Sequence, residues 1–242
     1  MAVLDLNALS VALSGSFSVT VVFPDQPFLT ERSYPALYYL HDVGGGGSDI
    51  REIAGLQKLA SELGVFIVCP SVMHSFGLDL PWGGKYGDFV CRELPAICRH
   101  LFPLDEKKQF VGGTGGGAYG AYRHAAANPD VFAGCILLNG RFDVASLCEA
   151  TAQGACAPHL TAANLEAVFG PPDQVRGGVH DILRPDAPRP GRVFFGCEEG
   201  FSALEDSLGF AQTLKADVHT APTLPEVFNA ALQWLCETAE NI

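Results

Sequence analysis

A glycine-rich turn in the middle of the chain holds the residues whose spacing is most specific for chemistry. Residues 112–121 read Gly-Gly-Thr-Gly-Gly-Gly-Ala-Tyr-Gly-Ala, between a predicted strand at 109–112 and a predicted helix at 118–127. A nucleophile elbow has this form, because small residues relieve crowding where a strand turns sharply into a helix. A phosphate loop is an alternative, but GxGxxG is weak alone and no P-loop lysine follows. A plain connection is the third interpretation, which the entropic cost of so many glycines disfavours.

Acyl transfer at such a turn needs a hydroxyl, a base that activates it and an acid that orients the base. Thr114 supplies a hydroxyl within the turn, and seven histidines are spread along the chain. The histidines show no metal-ligand spacing, and no CxxC pair suggests a zinc site. We therefore expect neither a metal nor a cofactor. His100 and His124 lie in predicted helices, where surface or packing roles are expected.

Short apolar runs alternate with helix-length amphipathic segments, and this alternation predicts the fold that positions the turn. It is typical of a mostly parallel sheet covered by helices on both faces. The predicted strands are 17–23, 36–40, 65–69, 109–112, 135–138 and 193–197, and the predicted helix faces lie within 53–63, 89–101, 118–127 and 227–236. Residues 143–190 interrupt the rhythm and are rich in Pro and Gly, which predicts a cap-like insertion within one domain spanning 1–242.

Composition excludes several classes of function. The chain has 242 residues and 48% hydrophobic residues, enough to bury a large core. Its formal net charge of −12 disfavours nucleic acid and anionic membrane surfaces as partners. Most of its eight cysteines lie in apolar runs, which predicts buried free thiols in a reduced compartment. No signal peptide and no membrane-spanning run is evident, so a cytoplasmic protein is expected.

The motifs together resemble the esterase D and tributyrin esterase branch of the α/β-hydrolases, which includes feruloyl esterases. The resemblance covers nearly the whole chain. It is carried by YPALYYLHDVGG at 34–45, GGKYGDFVCRELPAICRHLFPL at 83–104, FVGGTGGGAYGAYRHAAANPDVFAG at 110–134, LEAVFGPPD at 165–173, GCEEGFSALEDS at 196–207 and QWL at 233–235. It implies an α/β-hydrolase fold and carboxylic ester hydrolysis.

Matching the family's G-x-S-x-G-G-Y-G-A elbow places Gly115 at the nucleophile position from both sides without a gap. A one-residue shift, which needs an insertion at Ala118, would make Thr114 the nucleophile instead. The elbow therefore carries glycine where the family has serine, with Thr114 as the alternative.

The other two triad positions also depart from the family pattern. The resemblance places the catalytic acid at Phe201 or the neighbouring Gly200, and the histidine at Thr223. His219, four residues before Thr223, is an alternative base. The nearby Glu198 is expected to be a solvated turn residue, as are Glu199, Glu205 and Asp206.

The oxyanion loop is only partly kept. His41-Asp42-Val43-Gly44-Gly45 matches the family's HG-x-x-G loop, with Asp42 in place of a glycine. The resemblance assigns the donor N–H groups to Val43 and Gly116. A carboxylate beside them would oppose a developing oxyanion.

Changes at all three triad positions predict a pseudoenzyme that keeps the fold and a small-ligand pocket. The pocket is expected beneath the insertion, lined by Phe76, Trp82 and Tyr119, and to take a small ester or carboxylate. The alternatives are an active carboxylesterase that uses Thr114 with His219, a serine esterase deliberately inactivated at Gly115, and a non-catalytic partner of an active homologue or of itself as a homo-oligomer.

Overall fold

A computed structural model describes residues 2–25, 32–154 and 159–242 of the chain. The described residues form an eight-stranded sheet in the order β1-β2-β4-β3-β5-β6-β7-β8. The strands are β1 Ala2–Ser10, β2 Gly15–Phe23, β3 Tyr34–Leu40, β4 Phe66–Pro70, β5 Leu104–Gly115, β6 Gly134–Gly140, β7 Val193–Glu198 and β8 Val218–Ala221. Strands β1 and β2 pair antiparallel with their neighbours, and the other pairings are parallel.

Helices cover both faces of this sheet. They are α1 Leu56–Leu63, α2 Tyr86–Asp88, α3 Leu94–Leu101, α4 Gly116–Ala127, α5 Val144–Ala152, α6 Ala162–Phe169, α7 Pro172–Val175, α8 Leu204–Leu214 and α9 Leu224–Glu240, with a 3₁₀ turn at Gly47–Glu52 and a π-helical segment at Phe89–Glu93 between α2 and α3. Every residue of β3, β4 and β6 is buried, as expected for strands with helices on both sides. The predicted fold class is therefore confirmed.

Two loops meet at the carboxyl ends of neighbouring strands. Strand β3 pairs in parallel with β5, and the register sets Leu40 beside Gly113. Parallel neighbours end at the same edge of a sheet, so the loop that begins at His41 lies against the turn at Gly115. This edge holds the predicted elbow and the predicted oxyanion loop.

The N-terminal strand was not predicted. Strand β1 pairs with β2 along its whole length, from Ala2 opposite Phe23 to Ser10 opposite Gly15, although half of its residues are exposed. An edge strand is stabilised by pairing with its neighbour more than by its own pattern, so periodicity alone could not reveal it.

The segment between β6 and β7 contains α5, α6 and α7. Its buried residues Leu165, Val168, Phe169 and Val175 join the same hydrophobic cluster as side chains from the sheet. The described part of residues 143–190, the segment predicted as a cap-like insertion, thus packs onto the core through these side chains.

Seven cysteines are free and mostly buried, as predicted; Cys156 lies outside the described residues. Within the described ranges, no helix combines the length and hydrophobicity needed to cross a bilayer. A cytoplasmic location and self-association stay predictions from the sequence.

Candidate functional site

The turn from β5 into α4 centres on Gly115, a buried residue with φ of +56° and ψ of −119°. Residues other than glycine rarely adopt such backbone angles, which makes this a strained strand-to-helix turn. The turn is also crowded, since a Cβ at Gly113 would lie 2.5 Å from the Gly117 carbonyl carbon. The glycines thus let strand and helix approach closely, as the elbow interpretation requires.

The Asp42 carboxyl group occupies the space in front of Gly115. A Cβ built on Gly115 would overlap the Cγ and both oxygens of Asp42. Asp42 Oδ1 accepts hydrogen bonds from the amide of Val43, at 2.8 Å, and from the amide of Gly116, at 2.7 Å. Gly116 is the first residue of α4, where the helix dipole also favours a negative charge. One carboxylate therefore fills the space that a side chain at position 115 would occupy, and it accepts from both N–H groups that were predicted as oxyanion donors.

His41 holds the loop rather than offering a free base. Its Nδ1 donates to the Asp42 carbonyl oxygen at 2.7 Å, and its Nε2 accepts from the Val72 amide at 3.0 Å. Burial lowers the pKa of His41, which is 7% exposed. Both ring nitrogens of a neutral imidazole are thereby engaged.

Thr114 and His219 are not brought together. The strand register runs across the sheet from Thr114 to Leu138, then to Gly196 and to His219. Three strand spacings of about 4.8 Å separate the two residues by about 14 Å. A general base must lie within about 3 Å of the hydroxyl or act through one water. This register contradicts the alternative in which His219 activates Thr114.

The aligned acid and base positions hold no titratable group. The Phe201 ring lies beneath the Arg141 guanidinium, 5.5 Å from the ring centroid. Thr223 is exposed at the N-cap of α9 and makes no side-chain hydrogen bond to the helix. Neither side chain can orient or replace a catalytic imidazole.

Glu198, by contrast, is a partly buried bridging residue. Its Oε1 accepts from the Leu224 amide at the start of α9, at 2.9 Å, and its Oε2 accepts from Asn139 Nδ2 at 2.5 Å. The Glu198 amide donates to Asn139 Oδ1 at 2.9 Å. The expectation of a solvated turn residue is therefore wrong. Its position at the carboxyl end of a buried parallel strand was the signal that could have identified it.

The predicted pocket residues divide into two groups. Phe76 and Tyr119 are buried and pack around Phe169, with ring centroids 4.9 and 5.6 Å from the Phe169 ring. Trp82 is fully exposed at 100%, so the prediction that it lines a pocket is wrong. Phe76 and Tyr119 were expected to enclose a ligand beneath the segment between β6 and β7. In the structure they pack against Phe169 of that segment instead.

Asp42 also lines a cavity of about 380 Å³. It lies between the loop after β3, the 3₁₀ turn and the start of α9. Its lining includes the acidic side chains of Asp42, Asp49 and Glu52, and no described lining residue is Lys or Arg. Among the described residues, no group of His, Cys, Asp and Glu side chains could hold a metal ion.

Known proteins resemble this chain in sequence over part of its length and in fold over nearly all of it. No protein-family model matches the sequence. An acetyl esterase from Caldicellulosiruptor saccharolyticus is 30% identical over 149 residues, 57% of this chain and 56% of the esterase. The match thus spans little more than half the length of that relative.

Among solved structures, the fluorophosphonate-binding serine hydrolase FphF of Staphylococcus aureus superposes with a TM-score of 0.81 at 21% identity, covering 97% of this chain and 98% of FphF. An S-formylglutathione hydrolase from Agrobacterium tumefaciens gives a TM-score of 0.76 at 20% identity, covering 97% and 94% of the two chains. Sheet order, helix placement and these superpositions agree: the chain has the α/β-hydrolase fold.

Proposed function

We propose that this protein is an esterase-type α/β-hydrolase homologue that lacks serine-esterase chemistry, a pseudoenzyme that retains a small-ligand pocket. The motif resemblance and the partial identity to an acetyl esterase support the family. The position of the Asp42 carboxylate between the Val43 and Gly116 amides carries the proposed loss of chemistry.

An oxyanion hole accelerates acyl transfer because its donors meet a charge that develops only in the transition state. Here Val43 and Gly116 already donate to the full charge of Asp42. A second oxyanion about 4 Å away would be opposed by about 4 kcal/mol at an effective dielectric of 20. The donor pair is therefore committed to the protein's own carboxylate.

The nucleophile and its base are missing as well. Gly115 has no side chain that could attack, and the aligned acid and base positions hold Phe201 and Thr223. Loss of one triad member costs on the order of 10⁴ or more in rate. The distance of about 14 Å between Thr114 and His219 argues against the alternative of an active esterase that uses these two residues.

The acidic side chains that line the cavity beside Asp42 indicate which charge a ligand there could carry. Asp42, Asp49 and Glu52 would repel an anion there. This disfavours the carboxylate expected from the sequence, and leaves uncharged or cationic molecules as candidates.

A fluorophosphonate probe and a p-nitrophenyl acetate assay test the proposed loss of chemistry. We expect no stoichiometric labelling and no turnover above that of the matched Thr114→Ala variant. Stoichiometric labelling at Thr114, or turnover that Thr114→Ala abolishes, would overturn the proposal.

A further inference from the structure

We propose that a cleft beside Arg123 binds a small amino acid in its zwitterionic form, with the ligand's carboxylate on the Arg123 guanidinium and its ammonium at the Asp79 carboxylate. The cleft has a volume of about 410 Å³ and shares no lining residue with the cavity beside Asp42. It lies between α4 and the chain that runs from Leu78 through α2 into the π-helical segment. The proposal therefore goes beyond the proposed function and does not depend on the chemistry at Gly115.

The Arg123 guanidinium is held in the cleft by Tyr119 and His180. Its Nη1 donates to the Tyr119 hydroxyl and to Nδ1 of His180, each at 3.1 Å. The Tyr119 hydroxyl in turn donates to the His180 carbonyl oxygen at 2.7 Å, and Tyr119 is fully buried. Burial and the Arg123 charge lower the pKa of His180 to about 4, so its Nδ1 is an acceptor at neutral pH. The protein thus sets the orientation of the guanidinium before a ligand binds.

The other edge of the Arg123 guanidinium is free to bind a ligand. Its Nε and Nη2 donate to no described residue, and Arg123 forms no ion pair with a described carboxylate. These two nitrogens form the planar fork that donates to both oxygens of one carboxylate. Arg123 is half-buried and lines the cleft, so a carboxylate bound there would be partly shielded from water.

Asp79 supplies an unpaired charge of the opposite sign in the same cleft. Its Oδ1 accepts from the amides of Gly87 and Asp88, at 2.8 and 3.2 Å, which holds the exposed carboxyl group against α2. Its Oδ2 takes no hydrogen bond from the described residues. No described cation forms an ion pair with Asp79, not even Lys85, its partner in an isolated β-bridge. An ammonium group, with three donors, matches the free oxygen.

The other charged groups of the cleft are already paired or neutral. Asp88 and Arg92 form an ion pair one helical turn apart, and buried His124 donates to a backbone carbonyl oxygen. Asp79 and Arg123 are therefore the two charges of the described lining that have no charged partner, and they do not pair with each other. Asp79 would repel an anion and Arg123 would repel a cation, whereas a zwitterion can pair with both.

The size of the cleft indicates a small ligand. A volume of about 410 Å³ is at the lower end of ligand pockets. Leu78, Cys91 and Ala127 contribute apolar surface to the lining, which suits a short methylene chain. A carboxylate and an ammonium joined by a few carbon atoms describe an amino acid.

Titration followed by heteronuclear NMR tests this assignment at the atoms concerned. The probes are glycine, 4-aminobutanoate and 6-aminohexanoate, each compared with the carboxylate and the ammonium of equal chain length that lack the other charge. We expect at least one amino acid to shift the Arg123 Nε–H signal and the Gly87 and Asp88 amide signals with 1:1 saturation. Its single-charge analogues should bind about five- to tenfold more weakly, because each leaves one protein charge unpaired.

Two variants separate the contributions of the two charges. Arg123→Lys keeps the positive charge but loses the planar fork, so affinity for the amino acid should fall about fivefold while affinity for the ammonium analogue is unchanged. Asp79→Asn keeps an oxygen for the two amides but removes the charge, and should lower the affinity of the amino acid to that of its carboxylate analogue. Asp130→Asn and Arg189→Lys change exposed residues outside the lining and should leave all affinities unchanged.

The amino acid assignment would be overturned if none of the three amino acids bound, or if a single-charge analogue bound as tightly as the amino acid of equal length. Unchanged affinity in either Arg123→Lys or Asp79→Asn would also overturn it, and the same spectra report whether each variant is folded. These outcomes are separate from the esterase assay: turnover of p-nitrophenyl acetate would refute the pseudoenzyme, whereas a titration without binding would refute only this site.

Discussion

The carboxylate of Asp42 accepts a hydrogen bond of 2.7 Å from the amide of Gly116, 74 positions away in the sequence. The two residues meet because β3 and β5 are parallel neighbours that end at the same edge of the sheet. The Asp42 carboxyl group occupies the space that a side chain at position 115 would need, so the residue types possible at positions 42 and 115 depend on each other.

Gly115→Ser should destabilise the protein rather than restore an esterase. The new Cβ would overlap the Asp42 carboxyl group, and serine would have to adopt a positive φ. Displacing the carboxylate loses charge-assisted hydrogen bonds, so we expect a decrease of about 2–4 kcal/mol in the free energy of unfolding. Urea denaturation measures it.

The double variant Asp42→Gly/Gly115→Ser tests whether the two positions interact. Removing the carboxylate removes the overlap, so the unfolding free energy of the double variant should exceed the value expected if the two single effects were additive. Neither the Gly115→Ser variant nor the double variant should turn over p-nitrophenyl acetate. Additive effects on stability would contradict the overlap at Gly115.

Glu198→Ala should loosen the start of α9. The carboxylate accepts from the Leu224 amide and from Asn139, so its loss leaves both donors without this acceptor. We expect the free energy of unfolding to fall by about 2 kcal/mol or more. Amide hydrogen exchange should accelerate at Leu224. Glu199→Ala changes the exposed neighbouring carboxylate and serves as the control. Equal effects of the two substitutions would refute the bridging role of Glu198.

His124 should make the folded state sensitive to acid. Its Nε2 donates to the Gly77 carbonyl oxygen at 2.8 Å, and burial lowers its pKa to about 4. The unfolded chain then binds one more proton between about pH 6.5 and pH 4, so stability falls as the pH falls through this window. The loss approaches about 3 kcal/mol when complete.

Chemical denaturation at several pH values, compared with His124→Gln, measures this contribution. The variant should show a smaller loss of stability between pH 6.5 and pH 4. His100→Gln, in which an exposed histidine is replaced, should follow the parent profile. If the parent and His124→Gln lose stability in parallel, buried His124 is not the origin of the acid sensitivity.

Phe169→Ala should show how firmly the segment between β6 and β7 is attached. The Phe169 ring packs against Phe76 and Tyr119, and its side chain is 5% exposed. Truncation of a buried phenylalanine costs about 3–5 kcal/mol. Val179→Ala replaces a residue of the same segment that is 72% exposed. It should lower the free energy of unfolding little, and it serves as the control for a substitution in this segment. A small effect of Phe169→Ala on thermal unfolding would contradict the packed core.

The sequence by itself determined the fold class and the unusual residues of the elbow. Buried runs such as those of β3, β4 and β6 alternate with amphipathic helices, and this periodicity requires only local information. The glycines around Gly115 predicted a tight turn because they report directly on backbone conformation. The absence of a hydroxyl at position 115 likewise needs no structure.

Only the tertiary structure decided which side chains meet at the site. Asp42 and Gly116 lie in separate loops, and the 2.7 Å between them depends on strand order and register. The same register separates Thr114 from His219, a pair that the sequence left as an alternative. The exposure of Trp82 and the bridging role of Glu198 also depend on neighbours distant in sequence. Local patterns specify elements, whereas contacts between elements follow from how the sheet assembles.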